Sequence, residues 1–292
     1  MRCDLHVHTR HSGMCTVPVL NRVCRESYTE PQTLYETLKR RGMNLVTVTD
    51  HDSIDAVEEL RRKPDFFLSE EVTTTTPDGT ELHVGVYDIQ ERHHNEIQRR
   101  RRDLPSLCSY LSEQQLFFTI NHVYSSLTGR RTQADFNLFA RHFPGMEALN
   151  GQIPELNNRR AGELAESWGK SAIGGSDAHT LASLGRTYTQ VTGARTKKEF
   201  LDGLRWGRAS VMGESGGYWK LTRAVLALGS AMMREKRWTM LLLPLAPLVP
   251  VVTLANCLRE FAFVSRWASR TCRPRTRPAV YGSGWMGTEE AS

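Results

Sequence analysis

Cysteine is scarce in this sequence of 292 residues, and no two cysteines are spaced as a CxxC pair. The six cysteines stand at positions 3, 15, 24, 108, 257 and 272. This distribution argues against a disulfide framework and against a zinc site built from cysteines. A secretory leader is not indicated either, because MRCDLHVH places charge and two histidines where the apolar core of a signal peptide would stand. We therefore expect a protein of the reducing cytoplasm.

The sequence also lacks a GxSxG motif and an activated-cysteine motif, so no side-chain nucleophile is evident. It contains no internal repeat. Its composition is 39% apolar, 24% charged and 8% aromatic, which excludes disordered, collagen-like and coiled-coil classes. The length is sufficient for a sizeable buried core.

Excess positive charge is missing from most of the chain, although the formal net charge is +6. Residues 217–292 contain 11 Lys and Arg against 4 Asp and Glu, whereas residues 1–216 contain 27 against 28. We therefore divide the chain into a main domain, 1–216, and a basic tail, 217–292. The charge favours a tail that meets an anionic surface, membrane or nucleic acid, over a nucleic-acid-binding main domain.

Short apolar runs alternate with helical patterns in residues 1–216. The predicted strands are 4–8, 44–50, 65–73, 81–89, 116–123, 146–150, 171–177 and 187–191, and the predicted helices are 31–41, 53–62, 92–114, 155–168 and 196–206. Alternation of this kind predicts an α/β fold with a parallel sheet or barrel. Seven or eight strands in a domain of this size favour a small barrel.

The tail begins with a helical pattern and then contains residues 238–258 without any charge. A helix of that length can cross the ~30 Å apolar core of a bilayer, but Pro244, Pro247 and Pro250 remove backbone donors at successive turns. Three alternatives remain open: a spanning or re-entrant segment, interfacial membrane association, or packing on the main domain. The flanking cations are Arg234, Lys236 and Arg237 before the segment, and Arg259, Arg266, Arg270, Arg273, Arg275 and Arg277 after it.

Six of the ten histidines stand at or just after the end of a predicted strand, and two acids share that position. These residues are His6, His8, His51, His83, His122, His179, Glu71 and Asp177. Because the carboxyl ends of barrel strands converge on one face, we expect them to form a site for two or three divalent ions. Imidazole and carboxylate ligands suit Mn, Zn or Fe. His93 and His94 lie in a polar helical pattern and are expected to be solvated.

The motifs DLHVHT, TDHD, a Glu after the third strand, HVG, NH and GSDAH resemble, in order, those of the PHP (polymerase and histidinol phosphatase) superfamily. The resemblance spans roughly residues 1–210 and implies a distorted (β/α)7 barrel and a metal-dependent phosphoesterase. The stretch 26–56 is similar to a bacterial subset that is sometimes found beside a glycosyltransferase domain, which this sequence does not include.

Carried over by position, the resemblance implies three metal sites. His6, His8 and Asp177 correspond to the first, Glu71, His83 and His122 to the second, with Glu71 bridging, and His51 and His179 to the third. Glu70 is an alternative to Glu71. The third site departs from the family pattern, because Gly13 stands where a further ligand is usual. Either His11 replaces that ligand from the same loop, or the site keeps two protein ligands and is weak or empty.

Paired divalent ions lower the pKa of a bound water and neutralise phosphoryl oxygens. We therefore predict Glu71 and Asp177 as catalytic residues, with Asp50 orienting the ligands from behind. Arg186 is a candidate phosphate clamp, or else a surface ion pair.

The leading hypothesis is hydrolysis of a phosphoester in a nucleotide, an oligonucleotide or a sugar phosphate. One alternative is a metal-dependent hydrolase of a non-phosphate ester or amide. The other is a non-catalytic metal-binding scaffold tethered by its tail. The expected partners are a phosphate-containing small molecule or short oligonucleotide and, through 238–277, a membrane; the sequence identifies no protein partner.

Overall fold

The computed structural model describes residues 1–16 and 20–271, so Arg273, Arg275 and Arg277 of the predicted basic tail lie outside the described residues. The strands are β1 (Arg2–Cys3), β2 (Ser69–Thr75), β3 (Glu81–Tyr87), β4 (Phe117–Ile120), β5 (Gly145–Asn150), β6 (Ser171–Gly175), β7 (Thr187–Val191) and β8 (Ala209–Gly213). The α-helices are α1 (Pro31–Arg40), α2 (Val57–Leu60), α3 (Glu91–Arg100), α4 (Leu104–Glu113), α5 (Gln133–His142), α6 (Glu155–Ser167), α7 (Lys197–Arg205), α8 (Tyr218–Glu235) and α9 (Val249–Thr271). Two 3-10 helices cover Leu20–Arg22 and Arg237–Leu248. The α/β class is confirmed.

The strands form two sheets. The larger has the order β2-β3-β4-β5-β6, in which β2, β3 and β4 pair antiparallel and β4, β5 and β6 pair parallel. Helices α5 and α6 connect the parallel strands, as such crossovers require. The smaller sheet has the order β1-β7-β8 and is antiparallel.

The segments 4–8 and 44–51 form isolated bridges instead of the regular strands predicted there. Val7 pairs with Ala178, Val46 with Phe66, and His51 with Glu71, all in parallel orientation. Side chains replace some of the backbone hydrogen bonds that a regular strand pair would make. The Val7 N–H, for example, donates to Thr49 Oγ1 at 2.9 Å, and threonine and aspartate side chains often compete for backbone groups in this way. Through these bridges the two segments lie between β2 and the residues that follow β6, and so connect the two edges of the larger sheet.

Two helix predictions also need correction. The predicted helix 92–114 is two helices, α3 and α4, because Asp103 caps α4 by accepting from the Ser106 N–H at 3.2 Å, and Pro105 occupies its first turn. The predicted helix 53–62 is reduced to the single turn of α2. Helix α5 is not predicted, although it begins with a capping box made by Thr132 and Asp135.

The core of the main domain also includes side chains from helix α9 of the tail. Val264, Trp267 and Ala268 of α9 are buried in the same apolar cluster as Phe118 of β4 and Phe136 of α5. Upstream, the 3-10 helix Arg237–Leu248 accommodates Pro244 and Pro247. By length and composition alone, Arg237–Thr271 is long and apolar enough to cross a membrane. It contains an 18-residue stretch with a mean hydropathy of 2.0, of which 6% is buried.

Candidate metal centre

The structure brings the eight predicted ligands together at one end of the larger sheet. Four groups have potential ligand atoms within 4.8 Å of one another: His6, His8 and Asp177; His6, Glu71 and His122; His51, Glu71 and His83; and His8, Glu26 and His51. His179 joins them, because its ring stacks on that of His8 with the centroids 4.5 Å apart. The bridged segments 4–8 and 44–51 carry three of these imidazoles. The other five ligands lie on strands β2 and β3 and on the residues that follow β4 and β6.

Glu71 lies at the centre of this cluster. Its Oε2 is 3.0 Å from His6 Nε2 and 3.3 Å from His51 Nε2. Its Oε1 is 3.4 Å from His122 Nε2 and 3.5 Å from His83 Nδ1. Oε2 is also 3.4 Å from His8 Nε2. The two oxygens of one carboxylate therefore face different sets of imidazoles, as those of a bridging ligand would.

The alternative acid, Glu70, points away from the cluster, since successive side chains of a strand project to opposite faces. Its Oε2 is 2.8 Å from His94 Nδ1 and 3.1 Å from Gln98 Nε2. The expectation that His94 is solvated is therefore wrong. His93 is buried too, and its Nδ1 accepts from the Gln90 N–H at the start of α3.

Asp177 faces three of the imidazoles. Its Oδ1 is 3.3 Å from His8 Nε2, 3.5 Å from His179 Nδ1 and 3.6 Å from His6 Nε2. Asp177 has φ +49° and His122 has φ +30°, a backbone region that non-glycine residues seldom occupy. Such strained conformations are found at functional sites, where surrounding contacts hold them.

Glu26 is a site residue that the sequence analysis missed. Its Oε1 is 3.4 Å from both His51 Nε2 and His179 Nε2, the two histidines for which a third ligand was lacking. His11 lies elsewhere, with its Nε2 3.7 Å from Glu59 Oε1. Glu26 is the first residue of the quoted stretch 26–56, but its separation of 18 residues from His8 gave no reason to place it in the site.

A second layer of side chains orients the ligands, and most of it was also missed. Glu147 accepts from His6 Nδ1 at 2.7 Å and from the His122 N–H at 2.9 Å. Asn150 donates to Glu147 at 2.9 Å and to Asp177 at 3.0 Å. Partners of this kind fix the ring orientation of ligating histidines. The available indication was two polar residues in MEALN, a strand otherwise apolar.

The loop after His8 is held in a similar way. Ser12 Oγ lies 2.8 Å from His8 Nδ1 and accepts from the His51 N–H at 3.0 Å. Asp50 accepts from the Thr9 N–H and from the Thr9 hydroxyl, each at 2.6 Å. Asp50 therefore lies behind the ligands and fixes this loop.

Burial and neighbouring charges shift the pKa values within the cluster. Burial raises the pKa of Glu71, but the imidazoles of His6, His51 and His83 outweigh it and hold this pKa well below its usual range. Burial, reinforced by the charge of His179, lowers the pKa of His8 to about 4. His8 is therefore neutral near pH 7, the protonation state in which imidazole ligates a metal.

The donor set fits divalent metal ions. His8 Nε2 and His83 Nδ1 are buried and have no hydrogen-bond partner among the described residues, although each lies within 3.5 Å of Glu71. A buried polar atom without a partner costs roughly 1–3 kcal/mol. Coordination removes that cost, and imidazole with carboxylate suits Zn, Mn or Fe.

Arg186 lines a cleft of about 720 Å³ that also contains His179. Its Nε donates to the Ala182 carbonyl at 2.9 Å. Within the described residues it makes no ion pair with a carboxylate, so the surface ion pair considered for it is not observed there. Its charge is available to a ligand in the cleft.

Parts of this chain are similar to known protein families and structures. Residues 155–209 match the family model described as PHP-associated. The uncharacterized protein MJ1587 of Methanocaldococcus jannaschii is 31% identical over 80 residues, 26% of this chain and 46% of that protein, so the match spans about half of the relative.

Two solved structures share the fold. PsfC from Pseudomonas syringae PB-5123 superposes with a TM-score of 0.53 at 16% identity, over 80% of this chain and 98% of that chain. Endonuclease Q, in complex with a 27-mer duplex containing an abasic lesion, superposes with a TM-score of 0.52 at 15% identity, over 74% and 60%. The match to the PHP-associated model agrees with the resemblance of the ordered motifs to the PHP superfamily, and the two solved structures show that the fold is shared.

Proposed function

We propose that this chain is a metal-dependent phosphoesterase. The observation that carries the proposal is the position of Glu71, whose two oxygens face different imidazoles while buried ring nitrogens of His8 and His83 lack hydrogen-bond partners. Two or three divalent ions (Mn, Zn or Fe) bound there supply a water of lowered pKa and neutralise phosphoryl charge.

The proposed ligand sets are those that the resemblance to the PHP superfamily implies, with Glu26 added because its carboxylate lies 3.4 Å from both His51 and His179. His6, His8 and Asp177 hold one ion, Glu71, His83 and His122 a second, and Glu26, His51 and His179 a third. Glu147 and Asp50 keep the first two histidines and their loop in place, and Arg186 binds a non-bridging oxygen of the phosphoester. We further propose that the segments 4–8 and 44–51, which connect the edges of the larger sheet, complete a distorted (β/α)7 barrel.

The test measures phosphate release by the full chain with added Mn, Zn or Fe, using nucleotides, short oligonucleotides and sugar phosphates. The proposal expects turnover that chelator abolishes and that a His8→Ala/His51→Ala variant loses. His142→Ala, a partly buried histidine at the end of α5 and outside the cluster, is the matched control and keeps wild-type turnover.

Two other outcomes discriminate the alternatives. Turnover of neutral esters or amides without turnover of phosphate esters establishes a hydrolase of another type. Bound metal without turnover of any substrate establishes a scaffold. Because endonuclease Q acts on a DNA duplex, lesion-containing duplexes belong in the panel.

We propose, in addition, a cytoplasmic protein that attaches to a membrane surface through the tail. Eleven large apolar side chains of residues 238–261 are at least half exposed: Trp238, Met240, Leu241, Leu243, Leu245, Leu248, Val251, Val252, Leu254, Leu258 and Phe261. The only acid in 236–271, Glu260, is buried, so the exposed charge of this stretch is entirely positive. Burial of Trp267 in the core favours a helix that lies on the membrane over one that spans it.

Sedimentation of the full chain with vesicles tests this attachment. Binding to vesicles with anionic lipid, reduced by Leu241→Asp/Val252→Asp, supports it. Dimerisation in solution that the same variant abolishes, without vesicle binding, would instead show that a second copy covers this surface.

A further inference from the structure

The cleft that contains His179 and Arg186 has a wall supplied by the tail. One side consists of residues 179–186, which follow β6, and of residues 28–33, which lead into α1. The facing side is helix α8, which contributes Lys220, Arg223, Ala224, Ala227, Leu228, Ala231 and Arg234. Their spacing of three and four residues places them on one face of the helix.

Positive charge in this cleft is largely uncompensated. Two acids line it, but Glu30 pairs with Arg10 at 2.9 Å and Glu214 pairs with Lys220 at 3.1 Å. Within residues 1–16 and 20–271, Arg223 makes no ion pair with a carboxylate, and the same holds for Arg186 and Arg234. A concave surface with several unpaired guanidinium groups attracts anions, and guanidinium matches phosphate geometrically.

The positive charge contributed by α8 is spread along the helix, with Arg223 and Arg234 far apart. Arg223 and Arg234 are 11 residues apart in one helix, a separation of about 16 Å at 1.5 Å per residue. Small and apolar side chains, Ala224 to Ala231, lie between them. One phosphate at the metal ligands cannot contact both arginines, because their separation far exceeds the size of a phosphate.

We propose that Arg223 and Arg234 of α8 are specificity-determining residues, and that at least one of them binds a phosphate group of the substrate other than the one hydrolysed. This inference rests on the proposed phosphoesterase function and deepens it. The preferred substrates then carry at least two phosphate groups, with an uncharged part lying over the apolar stretch of α8. The tail is accordingly part of the substrate-binding cleft.

The experiment compares the full chain with an Arg223→Ala/Arg234→Ala variant. The matched control is Arg102→Ala/Arg237→Ala, which removes two exposed arginines that do not line the cleft. Both are assayed with fructose 1,6-bisphosphate and fructose 6-phosphate as probes. The ratio of kcat/KM for the bisphosphate to that for the monophosphate is expected to fall at least tenfold in the first variant, mainly through KM, and to stay at the wild-type value in the control.

Calorimetry of the same two sugars binding to the metal-loaded chain distinguishes failure of this inference from failure of the proposed function. Absence of turnover in the wild type refutes the proposed function, yet the binding preference for the bisphosphate and its loss in the variant still test the inference. Equal loss for both sugars, or an unchanged ratio in both measurements, overturns it.

Discussion

Glu260 of α9 is the residue by which the tail is most firmly joined to the main domain. It is 1% exposed. It accepts from the Ser126 N–H at 2.8 Å, the Ser126 hydroxyl at 2.7 Å, the Ser125 hydroxyl at 3.2 Å and Asn157 Nδ2 at 3.0 Å. The Ser125 N–H in turn donates to the carbonyl of His122, a proposed metal ligand, at 2.8 Å.

Replacing Glu260 with alanine removes the acceptor of all four hydrogen bonds, and of these donors Asn157 Nδ2 still donates to the Tyr124 carbonyl at 2.7 Å. A hydrogen bond to a charged group contributes about 1.5–3 kcal/mol, but such contributions are not additive within one network. Because the partners are neutral, the cost is that of leaving buried donors unsatisfied, about 1–3 kcal/mol, and we expect a loss of that size in the free energy of unfolding. Glu260→Gln keeps one acceptor oxygen and should lose less.

The control is Glu235→Ala, because Glu235 is the other acid of the described tail. Its Oε1 is 2.8 Å from Arg25 Nε in a largely exposed ion pair, so we expect a change of about 0–1 kcal/mol. Urea denaturation of the full chain at fixed metal content measures both variants, and limited proteolysis reports release of α9. A loss of less than 1 kcal/mol in Glu260→Ala would refute the reasoning.

Two further predictions concern the metal centre. Glu26→Gln should bind one metal ion fewer per chain than the wild type, because it weakens the third site, whereas His11→Ala should bind the full number. Mass spectrometry of the metal content measures both variants. The reverse pattern would show that His11, and not Glu26, is the ligand. Gly175→Ala should destabilise the chain by about 1–3 kcal/mol and reduce its metal content, because the added Cβ would lie 2.5 Å from the backbone nitrogen of His6. Gly162→Ala, with open space in α6, is the control and should be neutral or stabilising by about 0.5–1 kcal/mol in thermal denaturation.

Most of the candidate site could be predicted because its ligands follow strands in short motifs. His6 and His8, for example, are two residues apart, and the structure places both beside Asp177. Glu26 could not be predicted, because it reaches the site from a loop whose path depends on tertiary packing. Glu147 could not be assigned a role either, since only its distance to His6 reveals it.

The fold was predictable where apolar periodicity agrees with the hydrogen bonds that the chain makes. The strand prediction was wrong for 4–8 and 44–50. These segments have the apolar pattern of buried strands, but polar side chains such as that of Thr49 accept hydrogen bonds from the neighbouring backbone. The break between α3 and α4 was present in the sequence as Asp103 and Pro105, a cap followed by a residue favoured in a first turn. There, local capping outweighed the longer helical pattern.

The tail differs from residues 1–216 in composition but packs against them. Its charge and its uncharged stretch distinguish it from residues 1–216, yet it contacts the main domain on both sides of that stretch. Glu235 pairs with Arg25 before the stretch, and Glu260 and Trp267 are buried after it. The exposed Glu235 pair contributes little, so Glu260 and Trp267 are the two anchors that hold this apolar surface relative to the cleft lined by α8. If this surface lies on a membrane, as we propose, the same two anchors determine how the cleft is oriented toward that membrane, so attachment and substrate access are coupled by packing alone.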